Sequence, residues 1–246
     1  MTRLQDDEYL ELLRLETAAL AATPPDRLVD QVPHIDGWTV ETVIGHTGWV
    51  ARYVTLALQA TPEEPPGRSS VPEPPLGEEV ISWFAEATQA LLEQFETTDL
   101  TTIRPTFTGP QPAAWWLRRL AHETAMHRWD AASASGSAEP IDARLARDGV
   151  NEVFEVFASS RLSVEQLGGS GETMHLHATD IDDGEWMVTL GADKIEWRSG
   201  HEKAEVAARG TASDLLLMLW SRLPPSRLEL FGDAELLSRW QSAATF

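Results

Sequence analysis

Two patterns of hydrophobic and polar positions follow one another along the chain. In residues 1–160, apolar side chains recur every three or four positions, which is typical of amphipathic helices. Residues 61–77 hold six prolines and two glycines and are predicted to form a loop. The predicted helices span residues 4–22, 38–60, 78–96, 111–135 and 141–159.

The second pattern begins after the stretch GGSG at residues 168–171. Short blocks that alternate or run apolar, each closed by Gly or Asp, predict strands at 174–180, 185–191, 194–200 and 204–210. A helix at 211–222, a short strand at 228–232 and a last helix at 234–243 complete the pattern. The predicted fold class is α+β with two domains, a helix bundle over residues 1–160 and a smaller α+β domain over residues 161–246.

Charge excludes two classes of partner. The chain of 246 residues carries a net charge of −20 and has no basic cluster, so it repels phosphate backbones and anionic headgroups. Nucleic acid and membrane surfaces are therefore not expected as partners. The acidic N-terminus has no apolar signal-peptide core, and the expected location is the cytoplasm.

Cysteine is absent from the chain. This excludes disulfides, zinc sites built from cysteines and a nucleophilic thiol of the protein itself. Any thiol chemistry must use a thiol supplied from outside.

The fourth predicted helix carries a polar pair on an apolar face. At 100° per residue, Glu123 and His127 fall within an arc of ~80° together with Trp116, Leu120 and Ala131. Burying both polar groups is costly unless something satisfies them, and a divalent metal ion would do so. The alternative is a helical Glu–His pair at the surface or a satisfied buried hydrogen bond.

The string HETAMH in this helix does not fit the metalloprotease signature, which needs His at both ends of HExxH. Position 126 is Met126, and His122 and His127 are separated by about 140° on a helix. A third ligand should therefore come from another helix. His46 lies mid-helix on the apolar face of the second helix, where a lone histidine is more often a core residue than a ligand. Together with Glu123 and His127, His46 is a better candidate for a metal ligand, since helix bundles build metal sites from inward-facing side chains on facing helices.

Three segments resemble one protein family: GWTVETVIGHTGWVARY, AHETAMHRWDAA and RGTASDLLLMLWSRLPPSRLELFGDAELLSRW. They are similar to the mycothiol-dependent maleylpyruvate isomerases, which belong to the DinB-like metal-binding proteins. The resemblance implies a DinB-like up-down helix bundle followed by a small α+β, sterol-carrier-like domain. It also implies that His46, Glu123 and His127 hold zinc or another divalent metal, with an open position for the thiolate of mycothiol.

The resemblance also implies a functional arginine in the C-terminal domain, and Arg222 is the matching position. The alternative for Arg222 is a favourable interaction with the helix dipole, because it ends a helix. Arg52 and Arg128 are the other candidates for a functional cation, and both point away from the face of the helix that carries the metal ligands.

His175 and His177 share one face of a predicted strand, with Asp180 nearby. No third ligand with suitable spacing is evident, so the pair is interpreted as part of the strand's structure.

The predicted function is that of a zinc- and mycothiol-dependent isomerase or thiol S-transferase. It would act on a small electrophile similar to maleylpyruvate in the cytoplasm of an actinobacterium, with that substrate and a low-molecular-weight thiol as its partners. One alternative is a metal-dependent hydrolase that holds water in the open position, with His122 or Asp130 as the candidate general base. Another is a non-catalytic DinB-like protein that binds an apolar ligand at the stripe LLLMLW.

Overall fold

The computed structural model describes residues 3–158 and 167–244. The chain forms two compact units, Gln5–Glu139 and Pro140–Phe246, the latter together with Met1–Leu4. The domain boundary predicted between residues 160 and 161 lies outside the described residues. Among these residues, no helix combines the length and the apolar character that a membrane span requires.

The first unit is a bundle of four long helices. The helices are α1 (Asp6–Ala21), α2 (Val40–Gln59), α3 (Glu79–Thr97) and α4 (Ala113–Ser133). Helix α2 packs against α3 and α4, and α1 packs against α4. At the start of α2 the Thr39 side chain accepts a hydrogen bond from Thr42 N, which satisfies a backbone donor that the helix cannot pair itself.

A small element in this unit was not predicted. Strands β1 (Ile103–Arg104) and β2 (Gln111–Pro112) pair antiparallel in the connection between α3 and α4. Strands of two residues are too short for a period-2 pattern to be recognisable in a sequence.

The described part of the second unit combines a five-stranded sheet with three helices. The strands are β3 (Glu172–Ala178), β4 (Glu185–Leu190), β5 (Ile195–Ser199), β6 (Val206–Gly210) and β7 (Glu229–Gly232). The strand order is β5-β4-β3-β6-β7, in which β3 and β6 are parallel and all other neighbours are antiparallel. The helices are α5 (Ala143–Glu152), continued by a π-helical segment Val153–Phe157, then α6 (Ala212–Leu219) and α7 (Glu235–Ala243). The predicted fold class, α+β in two domains, is confirmed.

Alternation along β3 separates two faces of the sheet. Met174 and Leu176 are completely buried, whereas His175 and His177 point to the opposite face. The indole of Trp186 donates to Asn151 Oδ1 over 2.7 Å and so connects the sheet to α5.

Candidate metal centre

Three side chains from two helices meet inside the first unit. His46 of α2 and Glu123 and His127 of α4 each offer one ligand atom, and these atoms lie within 4.8 Å of one another. Glu123 Oε1 is 3.1 Å from His46 Nε2 and 3.3 Å from His127 Nε2. The structure therefore brings together the three residues that the resemblance implied, and we call them the helical triplet.

The helical triplet is covered on one side and open on the other. The side chain of His127 is 9% exposed and that of Glu123 is 17% exposed, whereas that of His46 is 37% exposed. The ring of Trp38 packs at 5.2 Å from the His46 ring and 5.9 Å from the His127 ring, centroid to centroid. A small molecule can therefore approach on the His46 side.

A buried carboxylate orients His127 from behind. His127 Nδ1 donates to Asp130 Oδ2 over 3.0 Å, and His34 Nε2 donates to the other oxygen of Asp130 over 2.7 Å. Asp130 is completely buried. Since Nδ1 carries the proton shared with Asp130, Nε2 is the nitrogen available on the side of Glu123. Metal-binding histidines are commonly held by a carboxylate in this manner.

Arg119 supplies a positive charge next to the triplet. One turn before Glu123, it forms a buried ion pair with Glu123 Oε2. Burial alone would raise the pKa of Glu123, but the charges of Arg119 and then of His127 outweigh it and hold that pKa well below its usual range. Glu123 is therefore a carboxylate at neutral pH.

The pKa of His127 shifts in the other direction. Burial favours the neutral ring, yet the Glu123 carboxylate and the hydrogen bond to Asp130 overcome burial and raise this pKa to about 9. Without a metal ion, a proton on His127 therefore compensates the charge of Glu123.

The donor set fits a divalent metal ion. Two imidazole nitrogens and a carboxylate oxygen are common zinc ligands. Bonds of about 2.0–2.1 Å in a tetrahedron need ligand atoms roughly 3.3 Å apart, and the two separations at Glu123 Oε1 are 3.1 and 3.3 Å. Three ligands leave a fourth position free, as in catalytic zinc sites.

Family models match both units of the chain. The model of the mycothiol maleylpyruvate isomerase N-terminal domain matches residues 10–132. The model of the MDMPI C-terminal domain matches residues 144–239. The chain belongs to the mycothiol maleylpyruvate isomerase family.

Solved structures agree with this family in fold. The crystal structure of a histidine-to-alanine mutant of the mycothiol-dependent maleylpyruvate isomerase superposes with a TM-score of 0.65 at 17% sequence identity, covering 94% of this chain and 95% of that one. A second crystal structure of the mycothiol-dependent maleylpyruvate isomerase gives a TM-score of 0.61 at 16% identity, covering 91% and 93%. No curated protein is detectably similar to the chain.

Four other residues that the sequence singled out lie in the first unit of this family member but do not belong to the helical triplet. The ring of His122 packs edge-on against Tyr9 at 6.2 Å. Arg52 donates to Trp83 O over 3.2 Å, and Arg128 pairs with Glu16 over 2.7 Å. Trp49 stacks on Tyr53 at 5.5 Å. The tryptophan that packs against the rings of His46 and His127 is Trp38.

Arg222 follows α6 in the second unit. Its Nη1 donates to Trp220 O over 3.0 Å. A role for Arg222 in the reaction of this family member stays a prediction.

Several supporting residues were not identified from the sequence. Arg119 precedes Glu123 by four residues, a spacing that signals a helical ion pair. Asp130 was considered only as a base for hydrolysis, although it follows His127 by three residues on the same helix. His34 and Trp38 precede α2 in an irregular segment whose course no periodicity reveals.

Proposed function

We propose that this protein is an isomerase that uses mycothiol and a divalent metal ion, zinc, held by His46, Glu123 and His127. The convergence of these three side chains in a chain without cysteine carries the proposal. Membership of the mycothiol maleylpyruvate isomerase family supports the thiol. When bound, zinc supplies a Lewis acid that favours the thiolate form of a coordinating thiol.

The chain's own residues prepare the ligand atoms. Asp130 holds His127 so that Nε2 faces Glu123, and His34 in turn holds Asp130. Arg119 keeps Glu123 ionised and fixes its second oxygen. The ligands therefore need little reorganisation to bind an ion.

The proposed substrate is a small, conjugated cis-dicarboxylate such as maleylpyruvate, the compound named for the similar crystal structures. Addition of an external thiolate turns the double bond into a single bond, which can rotate, and elimination of the thiolate leaves the trans isomer. Release of the adduct would instead be a thiol transfer. We propose that Arg222 binds a carboxylate of the substrate or of the thiol.

The two alternatives find less support in the structure. A hydrolase needs a base near the metal-bound water, yet both oxygens of Asp130 are engaged by histidines and His122 packs against Tyr9. A carrier of apolar ligands was suggested by the stripe LLLMLW. Residues 215–219 of that stripe are buried in the core of the second unit, so they offer no free apolar surface.

Cobalt substitution tests the thiol and the metal together. Addition of mycothiol to the cobalt-loaded protein should produce a sulfur-to-cobalt charge-transfer band, and the same protein should convert maleylpyruvate to its trans isomer only with mycothiol present. Glu123→Gln should remove both signals, whereas Glu86→Gln, at an exposed carboxylate of α3, should retain them. A cobalt spectrum that ignores mycothiol would contradict the proposal.

A further inference from the structure

A second group of histidines lies on the face of the sheet opposite to Met174 and Leu176. It consists of His175, His177, Glu185 and His201, each of which offers one ligand atom within 4.8 Å of the others. We call it the sheet cluster. All four residues belong to the second unit.

The register of the sheet explains how these residues meet. His177 of β3 lies directly opposite Glu185 of β4, and His175 is two residues earlier on the same face of β3. Gly200 N donates to Glu185 O, which holds the chain that leaves β5 beside β4. His201 is the next residue, so it reaches the same carboxylate from the other side.

Distances within the sheet cluster centre on Glu185. His201 Nδ1 is 2.8 Å from Glu185 Oε2, and His175 Nε2 is 3.5 Å from the same oxygen. His177 Nδ1 is 3.5 Å from Glu185 Oε1. The rings of His175 and His201 meet edge to face at 4.7 Å.

One of these nitrogens is buried without a hydrogen bond. Among the described residues, His175 Nε2 has no hydrogen-bond partner, although it points toward Glu185 and its side chain is only 7% exposed. A buried polar atom in this state is unusual and calls for a partner. The exposed fraction rises to 30% for His177 and 70% for His201, so a small ion can enter from the solvent side.

Neighbouring arginines are engaged with other acids. Arg209, which pairs with His177 in the register of β3 and β6, is 3.0 Å from Glu229. Arg198 is 2.6 Å from Glu202. Glu185 is thus surrounded by imidazoles, which are metal ligands when neutral.

We propose that the sheet cluster is a second divalent-metal site, which takes zinc through His175, His177, His201 and Glu185. Three imidazoles and one carboxylate suit zinc. Nickel and copper ions also bind imidazole nitrogen, so they should bind to the same residues. The ion would connect β3, β4 and the segment after β5. Its role would be to hold the end of β5 to the sheet, independently of the helical triplet.

Zinc binding to the full-length chain tests this proposal. After equilibrium dialysis against zinc, His201→Ala and Glu185→Gln should each hold one zinc per chain less than the wild type. Affinity for that zinc should fall by more than about 100-fold, because even the loss of a residue that only supports a ligand costs about 10- to 100-fold. His201 is largely exposed, so its replacement tests binding without endangering the fold.

Glu196→Gln is the matched control, since Glu196 is an exposed carboxylate on β5 of the same sheet and pairs with Lys194, away from the cluster. It should bind as much zinc as the wild type. Equal zinc content in wild type, His201→Ala and Glu185→Gln overturns the proposal, and so does a loss of the same size in Glu196→Gln. Failure of the helical triplet would be seen separately, as unchanged zinc content in His127→Ala.

Discussion

The helical triplet and the sheet cluster are built from the same residue types, histidine and glutamate, but their surroundings differ. At the triplet, Asp130, His34 and Arg119 hold the candidate ligands from behind, and these groups are buried or nearly so. At the sheet cluster, the backbone register alone aligns three of the candidate ligands, and the fourth, His201, is largely exposed. A supported, half-open site with three ligands suits catalysis, whereas a four-ligand site between strands suits stabilisation.

The largest expected effect is the loss of a ligand of the triplet. His127→Ala and Glu123→Ala should each remove one zinc per chain and abolish isomerisation, because each variant leaves two of the three protein ligands that a catalytic zinc site uses. Elemental analysis and the isomerase assay on the same samples measure both effects. Full metal content in both variants would show that the triplet is not the metal site. Loss of activity without loss of metal would place these residues in another role.

Arg222→Ala should have the next largest effect on activity. It should leave the zinc content of the helical triplet and of the sheet cluster unchanged. If Arg222 binds a carboxylate, the loss of a charged hydrogen bond of roughly 1.5–3 kcal/mol should lower kcat/KM by about 10- to 150-fold. Steady-state kinetics with varied maleylpyruvate and varied mycothiol will show which of the two it contacts. Wild-type kinetics in this variant would leave Arg222 with the helix-terminal role alone.

Removal of the carboxylate of Asp130 should change zinc affinity at only one of the two sites. Asp130→Asn should weaken zinc binding at the triplet by about 10- to 100-fold, because an amide no longer holds the proton of His127 on Nδ1. Zinc binding at the sheet cluster should not change. Competition with a chromophoric chelator measures both affinities. An unchanged affinity at the triplet would mean that packing, rather than Asp130, positions His127.

The last effect is on stability rather than on activity or zinc affinity, and it concerns the pH dependence of stability after chelation. The pKa of His127 is raised to about 9 in the folded chain, so its contribution to the free energy of unfolding is complete below about pH 6.5 and is lost as the pH rises through 9. The pKa of Glu123 is lowered, so its contribution is present above about pH 4.5 and is lost as the pH falls. The metal-free chain should therefore lose at most roughly 3 kcal/mol between pH 6 and pH 10 through this pair.

Urea unfolding of the chelated protein at a series of pH values measures this loss. His127→Gln should flatten the profile, since glutamine does not titrate. In the zinc-loaded protein the ion replaces the proton on His127, so the decline toward pH 10 should disappear. A decline that persists unchanged in His127→Gln would assign it to other groups.

Periodicity was sufficient for the helices but not for their connections. The apolar repeats predicted α1 to α4 to within a few residues, because each helix buries one face against its neighbours. Strands β1 and β2 were not predicted, since a strand of two residues is too short to show an alternation of apolar and polar positions. The parallel pairing of β3 with β6 is likewise invisible in the strands themselves, because it depends on how the chain between them returns.

The two clusters show where sequence reasoning ends. Glu123 and His127 are one helical turn apart, so their common face follows from the sequence alone. His175 and His177 share a strand face for the same kind of reason, and Asp180 was considered as their neighbour. Asp180 instead accepts a hydrogen bond from Ala212 N over 2.8 Å. Glu185 and His201 complete the cluster, and neither has a fixed spacing from His175 that a sequence pattern could have identified.

Three conclusions needed only the amino-acid sequence: which residues share a helix or strand face, that the protein has no thiol of its own, and that it resembles a mycothiol-dependent family. These depend on local geometry and on composition. Three contacts depend on the tertiary fold: His34 and Asp130 stand behind His127, Trp38 covers the triplet, and His201 reaches Glu185. Each of these contacts joins segments far apart along the chain, and their distance is set by the packing of helices and the register of strands, not by any spacing within one element.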